Sequence, residues 1–581
     1  MPPYDQPAGA NAPKGEAAAR RLTAHKTPTR LAAAAAAAML AALTLAGCGG
    51  NAADEPKAAD PTSLDASAPK DGGELIWAVE VKITTVNPHL NGQAKAAPIL
   101  RNVFDSYLYL DGDGVYQPWL AKDYTVSEDG LTYTLELRDD VTFSDGAKLD
   151  ADAVVANFDK FSDGVYLSSP PNGLTFLDSY TKTGDQTVEF KLSKPDIEFL
   201  IYLSTSTPLS PASLELPQDV LESGGPELAG VGPFTIESFT ANTELVLAKR
   251  ADYAWSPLPE QADHPTAYLD KVTYRTFAEG STRTGALRQG QVDVVSDVQP
   301  LDVVVFEESP DFVYDRSFIG GTPYTYYLNV SKPPFDDENV RRAFILGADY
   351  QTLLDTIYQG TYDRAWTPVS AVGPFPDQSL IGWAEPDYDE ANRLLDESGW
   401  TERDADGYRV KDGQVLTARV VTEAAFVRES RDQLAIAIGA ALKQNVGIKY
   451  DYEIVDSGTG AERVEANDYE VFDNSYSGSD PVEGIDLLYY SSDPSRGFIA
   501  RGKFNDPELE ALIDEGRFTD DLATRKTAYT AFQNLVTKDK AYVLPLYQPQ
   551  DNWAHQTSVH GITVDTAIGQ PRGATTVWID Q

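Results

Sequence analysis

Apolar and polar positions along the chain follow two different periods. Glu74-Leu-Ile-Trp-Ala-Val-Glu80 is a nearly continuous apolar run and predicts a buried strand. Leu131–Leu137 and Thr187–Leu192 place apolar side chains at every second position, as strands with one face in a core do. Elsewhere the period lengthens. Leu149–Phe158 opens on possible caps and turns helical, and Asp336–Phe344 sets Val340 and Phe344 one turn apart behind an acidic first turn. Asp389–Gly399 reads as a helix with an N-cap at its start and a glycine stop. Arg431–Val446 puts Leu434, Ile438, Ala441 and Leu442 on one stripe before Gly447 and the strand Ile448–Val455. Asp506-Pro507 starts a helix over 508–517, and a last helix is expected over about 521–537. Strand and helix signals alternate throughout, so the body is α/β.

One segment fits neither period. Leu31–Ala46 is apolar except for Thr44 and follows a polar stretch carrying Lys14, Arg20, Arg21, Lys26 and Arg30. A basic region, a short apolar core and small residues form an export signal. The core is shorter than the ~20 residues that span a bilayer comfortably. Leu45-Ala46-Gly47-Cys48 resembles the bacterial lipobox, which implies diacylglycerol on the Cys48 thiol and removal of residues 1–47. An uncleaved anchor with an incidental cysteine is the alternative. Residues 48–72 lack aromatics and are rich in Ala, Asp, Pro, Gly and Ser, a composition that cannot bury a core and predicts a flexible tether.

Charge and sulfur content narrow the chemistry. With 89 acidic and 47 basic side chains the net charge is −42, which argues against nucleic acid or an anionic lipid surface as the main partner. Cys48 is the only cysteine, so the body contains no disulfide, thiolate nucleophile or cysteine-bound metal. Gly497–Lys503 has P-loop spacing, but Phe504 stands where Ser or Thr would hold magnesium. Glu402, Asp404, Asp406 and Gly407 hint at a calcium loop, yet position twelve is Gly413 rather than Glu, and β-turns at Asp406-Gly407 and Asp412-Gly413 fit better. His89, His264, His555 and His560 show no zinc-binding spacing. No nucleophile elbow or dinucleotide fingerprint occurs, so neither an enzyme nor a cofactor is expected.

A set of blocks then occurs in a telling order: Val86-Asn-Pro-His-Leu90, Ile99–Phe104, Gln117-Pro-Trp-Leu-Ala121, Leu131–Arg138, Val141–Gly146, Gly230-Val-Gly-Pro-Phe234, Lys249–Tyr253, Ala286–Asp293, Tyr326–Asn329 and Val340–Phe344. Together they resemble the bacterial extracellular solute-binding proteins of family 5, the capture components of peptide-type ABC importers. The resemblance covers about 73–581. It implies a two-lobed periplasmic-binding-protein-like (type II) fold with an additional inserted domain. Projected here, lobe I comprises 73–103, 226–321 and 548–581, the inserted domain 104–225, and lobe II 322–547.

The same resemblance implies a monomer, lipid-tethered outside the cell membrane, that closes by a hinge on a small organic solute, first of all a peptide, and delivers it to an ABC permease. Contacts carried over by position are Gln93 and Ala94 after the Asn-Pro-His motif, the stretch Asp473, Asn474, Tyr476, Ser477 and Asp480, and Tyr547 with Gln548 beside the hinge. Lobe packing is the alternative role for each. Family members that bind peptides often carry an acid a few residues before the proline of this stretch. Here Ser477 or Gly478 takes that place, leaving Asp473 or Asp480 as the stand-in. A surface lipoprotein that senses a ligand or acts as chaperone without a transporter, and an extracellular hydrolase, are the competing functions.

Overall fold

The structure, a computed structural model, describes residues 68–162, 172–494, 496–497 and 499–580. The export signal, Cys48 and most of the expected tether lie outside the described residues. Of the tether, 68–72 already touch the body: Lys70 pairs with Asp580 at 2.8 Å and Asp71 with Lys249 at 3.0 Å.

Each lobe is built on one sheet. In lobe I seven strands lie in the order 312–318, 550–556, 294–296, 74–79, 271–276, 244–249 and 234–240. Glu74–Val79 sits inside this sheet, parallel to both neighbours. Leu75, Trp77 and Val79 enter the core on one face while Ala78 enters the core on the other. Burial on both faces is why this strand reads as a continuous apolar run rather than an alternation. Lobe II holds five strands in the order 449–455, 417–423, 471–477, 321–328 and 543–547. The helix Arg431–Val446 packs Leu434, Ile438 and Leu442 into that lobe's core and ends on Gly447 in the left-handed region.

Between strands 74–79 and 234–240 of the lobe I sheet the sequence inserts a four-stranded antiparallel sheet, 121–126, 132–137, 187–192 and 177–184, with helices Ala151–Ser162 and Ile197–Thr205. The alternating strands turn Leu135, Leu137, Val188, Phe190 and Leu192 inward against Val154, Phe158 and Phe199. This core continues into lobe II through Val482, Ile485, Tyr489 and Phe532. The inserted domain is therefore joined to lobe II by shared apolar packing.

The two lobes are linked by a pair of adjacent crossings. Phe318 pairs with Gln550 in the lobe I sheet and Tyr324 with Tyr547 in the lobe II sheet. Between them Ile319 N donates to Pro549 O at 2.9 Å. Gly321, at φ 100°, lies so close to lobe II that a Cβ there would strike the carbonyl of Tyr476, so no other residue fits without displacing the backbone.

Two details of the sequence reading change or sharpen. The helix read as capped by Asp389 begins two residues earlier, over Tyr388–Glu397, because Asp387 keeps a non-helical ψ of 89° and its Oδ1 accepts from Glu390 N at 2.9 Å. Asp389 belongs to the first turn. The Asp404–Gly413 segment forms turns between short strands: Asp404 Oδ1 accepts from Asp406 N at 3.0 Å and from Tyr408 N at 2.9 Å. No helix among the described residues is long and apolar enough to cross a membrane.

Candidate functional site

The block Ile99–Phe104 and the Gly230–Phe234 motif meet at the mouth of the site. Gly232 N donates to Val103 O at 2.8 Å and Phe234 N to Asn102 O at 2.9 Å. A Cβ on Gly230 would strike Val103 O, which is why this motif needs glycine. The close approach fixes the short helix Ala97–Leu100 and the residues that follow it, Arg101 and Asp105.

Both line a cavity of about 240 Å³ where lobe I, the inserted domain and lobe II come together. Tyr109 and Trp119 contribute from the inserted domain, Asp565 and Arg572 from the C-terminal part of lobe I, and Ser479 from lobe II. Its volume lies a little below the ~300–1,000 Å³ usual for small-molecule sites.

Asp105 is the most unusual group in this wall. It is 1 % exposed. Its Oδ2 accepts from Tyr253 Oη at 2.9 Å and from Trp255 Nε1 at 3.2 Å, whereas Oδ1 has no hydrogen-bond partner. Burial pushes its pKa up to about 7, against the hydrogen bond from Tyr253 and the charge of Arg101. Arg101 donates to Ser106 Oγ at 2.8 Å and to Ser204 O at 2.9 Å. Arg572 donates to Tyr109 Oη at 2.5 Å and lies over that ring. The cavity wall thus carries two cations and two carboxylates among aromatic surfaces, a combination suited to a small polar organic molecule.

A second charged constellation spans the cleft nearer the crossings. On the lobe I side Lys95 pairs with Asp297 at 2.6 Å and with Asp551. Burial would lower its pKa, but the two carboxylates hold it above the usual lysine range. On the lobe II side Glu429 and Ser430 both adopt left-handed φ of 54°, a strained pair that aims Glu429 and Arg431 at one another. Arg431 Nη2 donates to Glu429 Oε2 at 2.9 Å, and Tyr547 Oη donates to the same oxygen at 2.5 Å. Burial alone would raise the Glu429 pKa; Arg431 and Arg428, with a smaller contribution from Lys95, pull it down to about 2.

The residues expected from the sequence are distributed around these features. Gln93 and Ala94 form the turn leading to Lys95 and lie between the cavity residues Asn91 and Ala97. Gln93 N donates to Asn91 Oδ1 at 2.9 Å and its Nε2 to Lys82 O at 3.0 Å. Asn474, Tyr476 and Ser477 are half-buried on the strand Val471–Ser477, two residues short of the cavity-lining Ser479. Asp473 is buried in lobe II, accepting from Tyr324 Oη at 2.7 Å and Thr422 Oγ1 at 2.8 Å. Asp480 caps the helix Pro481–Tyr489 and accepts from Arg525 Nη2 at 2.7 and 2.8 Å. Both acids suggested as stand-ins are therefore occupied by internal partners. Tyr547 joins the Glu429–Arg431 cluster, and Gln548 N donates to Asp363 O at 2.9 Å beside the crossings.

Sequence reasoning missed Arg101, Asp105, Arg572, Lys95 and the Arg428–Arg431 turn. Arg101 and Asp105 stand four apart across the end of a block that entered the reading only as part of the family resemblance; the charged pair was the available signal.

The sequence pattern of bacterial extracellular solute-binding proteins, family 5 Middle, matches residues 115–496. The chain belongs to this family. Among individual relatives, the glutathione-binding protein GsiB of Escherichia coli O1:K1 is 25% identical over 527 residues, covering 87% of this chain and 94% of its own. Of solved structures, NikA from Brucella suis in complex with Fe(III)-EDTA superposes with a TM-score of 0.74 at 22% identity, covering 87% of this chain and 100% of its own. The periplasmic binding protein DppA from Helicobacter pylori, in complex with the peptide STSA, gives 0.67 at 22% identity, covering 88% and 99%. The two-lobed fold expected from the sequence is the fold observed, and the family is one of solute-binding proteins rather than enzymes.

Proposed function

We propose that this protein captures a small organic solute, most readily a peptide, in the cleft between its lobes and delivers it chemically unchanged to an ABC permease. The observation that carries the reading is the mixed-charge cavity at the meeting point of three structural parts, two of which exchange the chain through a pair of adjacent crossings. Solute contacts from both lobes exist together only when the cleft is shut, so a bound solute shifts the population toward the closed form by its differential affinity. Gln93, Ala94, Asn474, Tyr476, Ser477, Tyr547 and Gln548 border the path of the solute in this reading, with Asp473 and Asp480 bracing the lobe II wall.

In this reading lobe I comprises 73–103, 226–321 and 548–581, the insert 104–225, and lobe II 322–547. The protein acts as a monomer, held at the outer face of the membrane by lipid on Cys48. The names of relatives support this reading, since GsiB is described as glutathione-binding and DppA was solved with a peptide.

Thermal-shift screening of the purified protein against glutathione, di- to tetrapeptides, opines, metal chelates and oligosaccharides tests it. A bound solute raises apparent stability by about 2.7 kcal/mol at a hundredfold excess over Kd. A saturable rise with a peptide-type solute is expected. Multi-turnover cleavage of those peptides, without a stabilising solute, would contradict it.

A further inference from the structure

Two walls of the solute cavity meet at one residue of the crossing between the lobes. Gly320 N donates to Ile568 O of lobe I at 2.8 Å, and Gly320 O accepts from Gly478 N of lobe II at 3.2 Å. Both partners belong to segments that line the cavity: Asp565, Ala567 and Ile568 from lobe I, and Ser479 from lobe II. Space is as tight as the bonding. A Cβ on Gly320 would lie 2.6 Å from Gly478 O and 2.9 Å from Ala567 O, one carbonyl from each lobe. The φ of Gly320 is outside the left-handed region, so the close approach, rather than the backbone conformation, is what requires glycine. The crossing is also held at its flanks: Ser370 Oγ donates to Ile319 O at 2.6 Å, and Ser317 Oγ to Gly569 O at 2.6 Å.

We propose that Gly320 is a positioning residue that couples the solute cavity to the angle between the lobes. Its N–H carries the lobe I wall and its C=O the lobe II wall, so a solute touching both walls acts on the crossing through this one residue. This rests on the solute-capture reading above and names the place in the chain through which that site governs closure. Gly320 and Gly478 are buried, and a buried backbone group left unpaired is costly. The two wall segments therefore travel with the crossing instead of sliding past it. A solute in contact with both favours the form in which the walls converge, by its differential affinity for that form. A methyl group added at Gly320 does the opposite. It wedges the two carbonyls apart and moves the population toward the open form before any solute is present.

Pulsed electron spin resonance between labels on Leu301→Cys in lobe I and Ile436→Cys in lobe II, with calorimetric titration of glutathione and alanyl peptides, tests this in the wild-type background and in Gly320→Ala. Leu301 and Ile436 are 70% and 68% exposed, and with Cys48→Ser no other thiol is present. Without solute, the label distance in Gly320→Ala is expected to be longer than in the wild-type background. The probes are expected to bind the variant at least about tenfold more weakly, because apparent affinity falls with the fraction able to close. Ser317→Ala removes only the bond to Gly569 and is expected to weaken binding about two- to fivefold in the same direction. If Gly320→Ala does not fold, the same two readings on Ser317→Ala decide. Unchanged affinity and distance would overturn the proposal, and so would weaker binding at an unchanged distance, the result a merely structural role gives. Failure of every probe to bind the wild-type background would count against solute capture itself, and the solute-free distances would still decide the role of Gly320.

Discussion

Asp105 shows how far a single side chain departs from its ordinary chemistry when its partners are brought from distant parts of the chain. Tyr253 and Trp255 lie about 150 positions away in sequence, and burial rather than any neighbour raises the acid to about 7. The sign of the resulting pH effect is fixed. In the unfolded chain the group titrates near 3.8, so between about pH 4 and pH 7 the unfolded state has lost a proton that the folded state retains. Stability contributed through this group therefore falls as pH rises across that window and levels off above it. Glu483, also raised to about 7 by burial, contributes a parallel slope that cancels when two proteins differing only at Asp105 are compared. In the absence of solute, melting temperatures of wild type and Asp105→Asn measured from about pH 4 to about pH 8 should diverge in favour of the variant up to about pH 7. Parallel curves would contradict the placement of Asp105 in a dry, incompletely bonded site. Nothing in the sequence around Asp105 announces this. The Arg101 and Asp105 spacing is visible, but the surroundings that matter are tertiary.

Individual elements were largely legible, because period and punctuation are local properties. The continuous apolar run at Glu74–Val79, the alternating strands Thr132–Leu137 and Thr187–Leu192, and the stripe on Arg431–Val446 all take the forms their patterns predict. Where the reading slipped, competing caps were the reason. Both Asp387 and Asp389 are acceptable N-caps, and only the backbone decides that Asp387 accepts from Glu390 N. Asp387→Ala should cost about 1 kcal/mol and Asp389→Ala much less, read from denaturant unfolding midpoints; a reversed order would contradict the observed boundary. Asp480 teaches a related lesson: Asp-Pro before an apolar run is an N-cap signature in its own right, and the carboxylate here serves the helix and Arg525.

What no local pattern reveals is how elements are joined. Arg517, 1 % exposed, meets Asp196 and Glu198 of the inserted domain at 2.9 Å each and Asp486 of lobe II at 2.5 Å. Arg517→Met would leave three buried acids without their common cation and should destabilise by about 3–5 kcal/mol. A loss below about 1 kcal/mol in the same unfolding measurement would show that this cluster does not hold the two parts together.

At the scale of the whole molecule, a seven-stranded and a five-stranded sheet share two adjacent crossings, while the inserted domain leans its core on lobe II. The ordered blocks in the sequence pointed to this two-lobed plan through the family resemblance they carry, and at Gly230 and Gly232 the structure shows backbones in close approach. The blocks could not reveal which charges face each other across the cleft. Lys95 and Glu429 lie more than 300 positions apart, and only folding makes one sense the other.

The central claim is that a solute is held between the lobes and leaves unaltered. Calorimetric titration of the purified protein with glutathione and short peptides, followed by mass analysis of the solute recovered from the saturated complex, tests this most directly. The account predicts saturable binding of one solute per chain, with the solute recovered at its original mass. Recovery of cleaved or modified solute in excess of one equivalent per chain would contradict it.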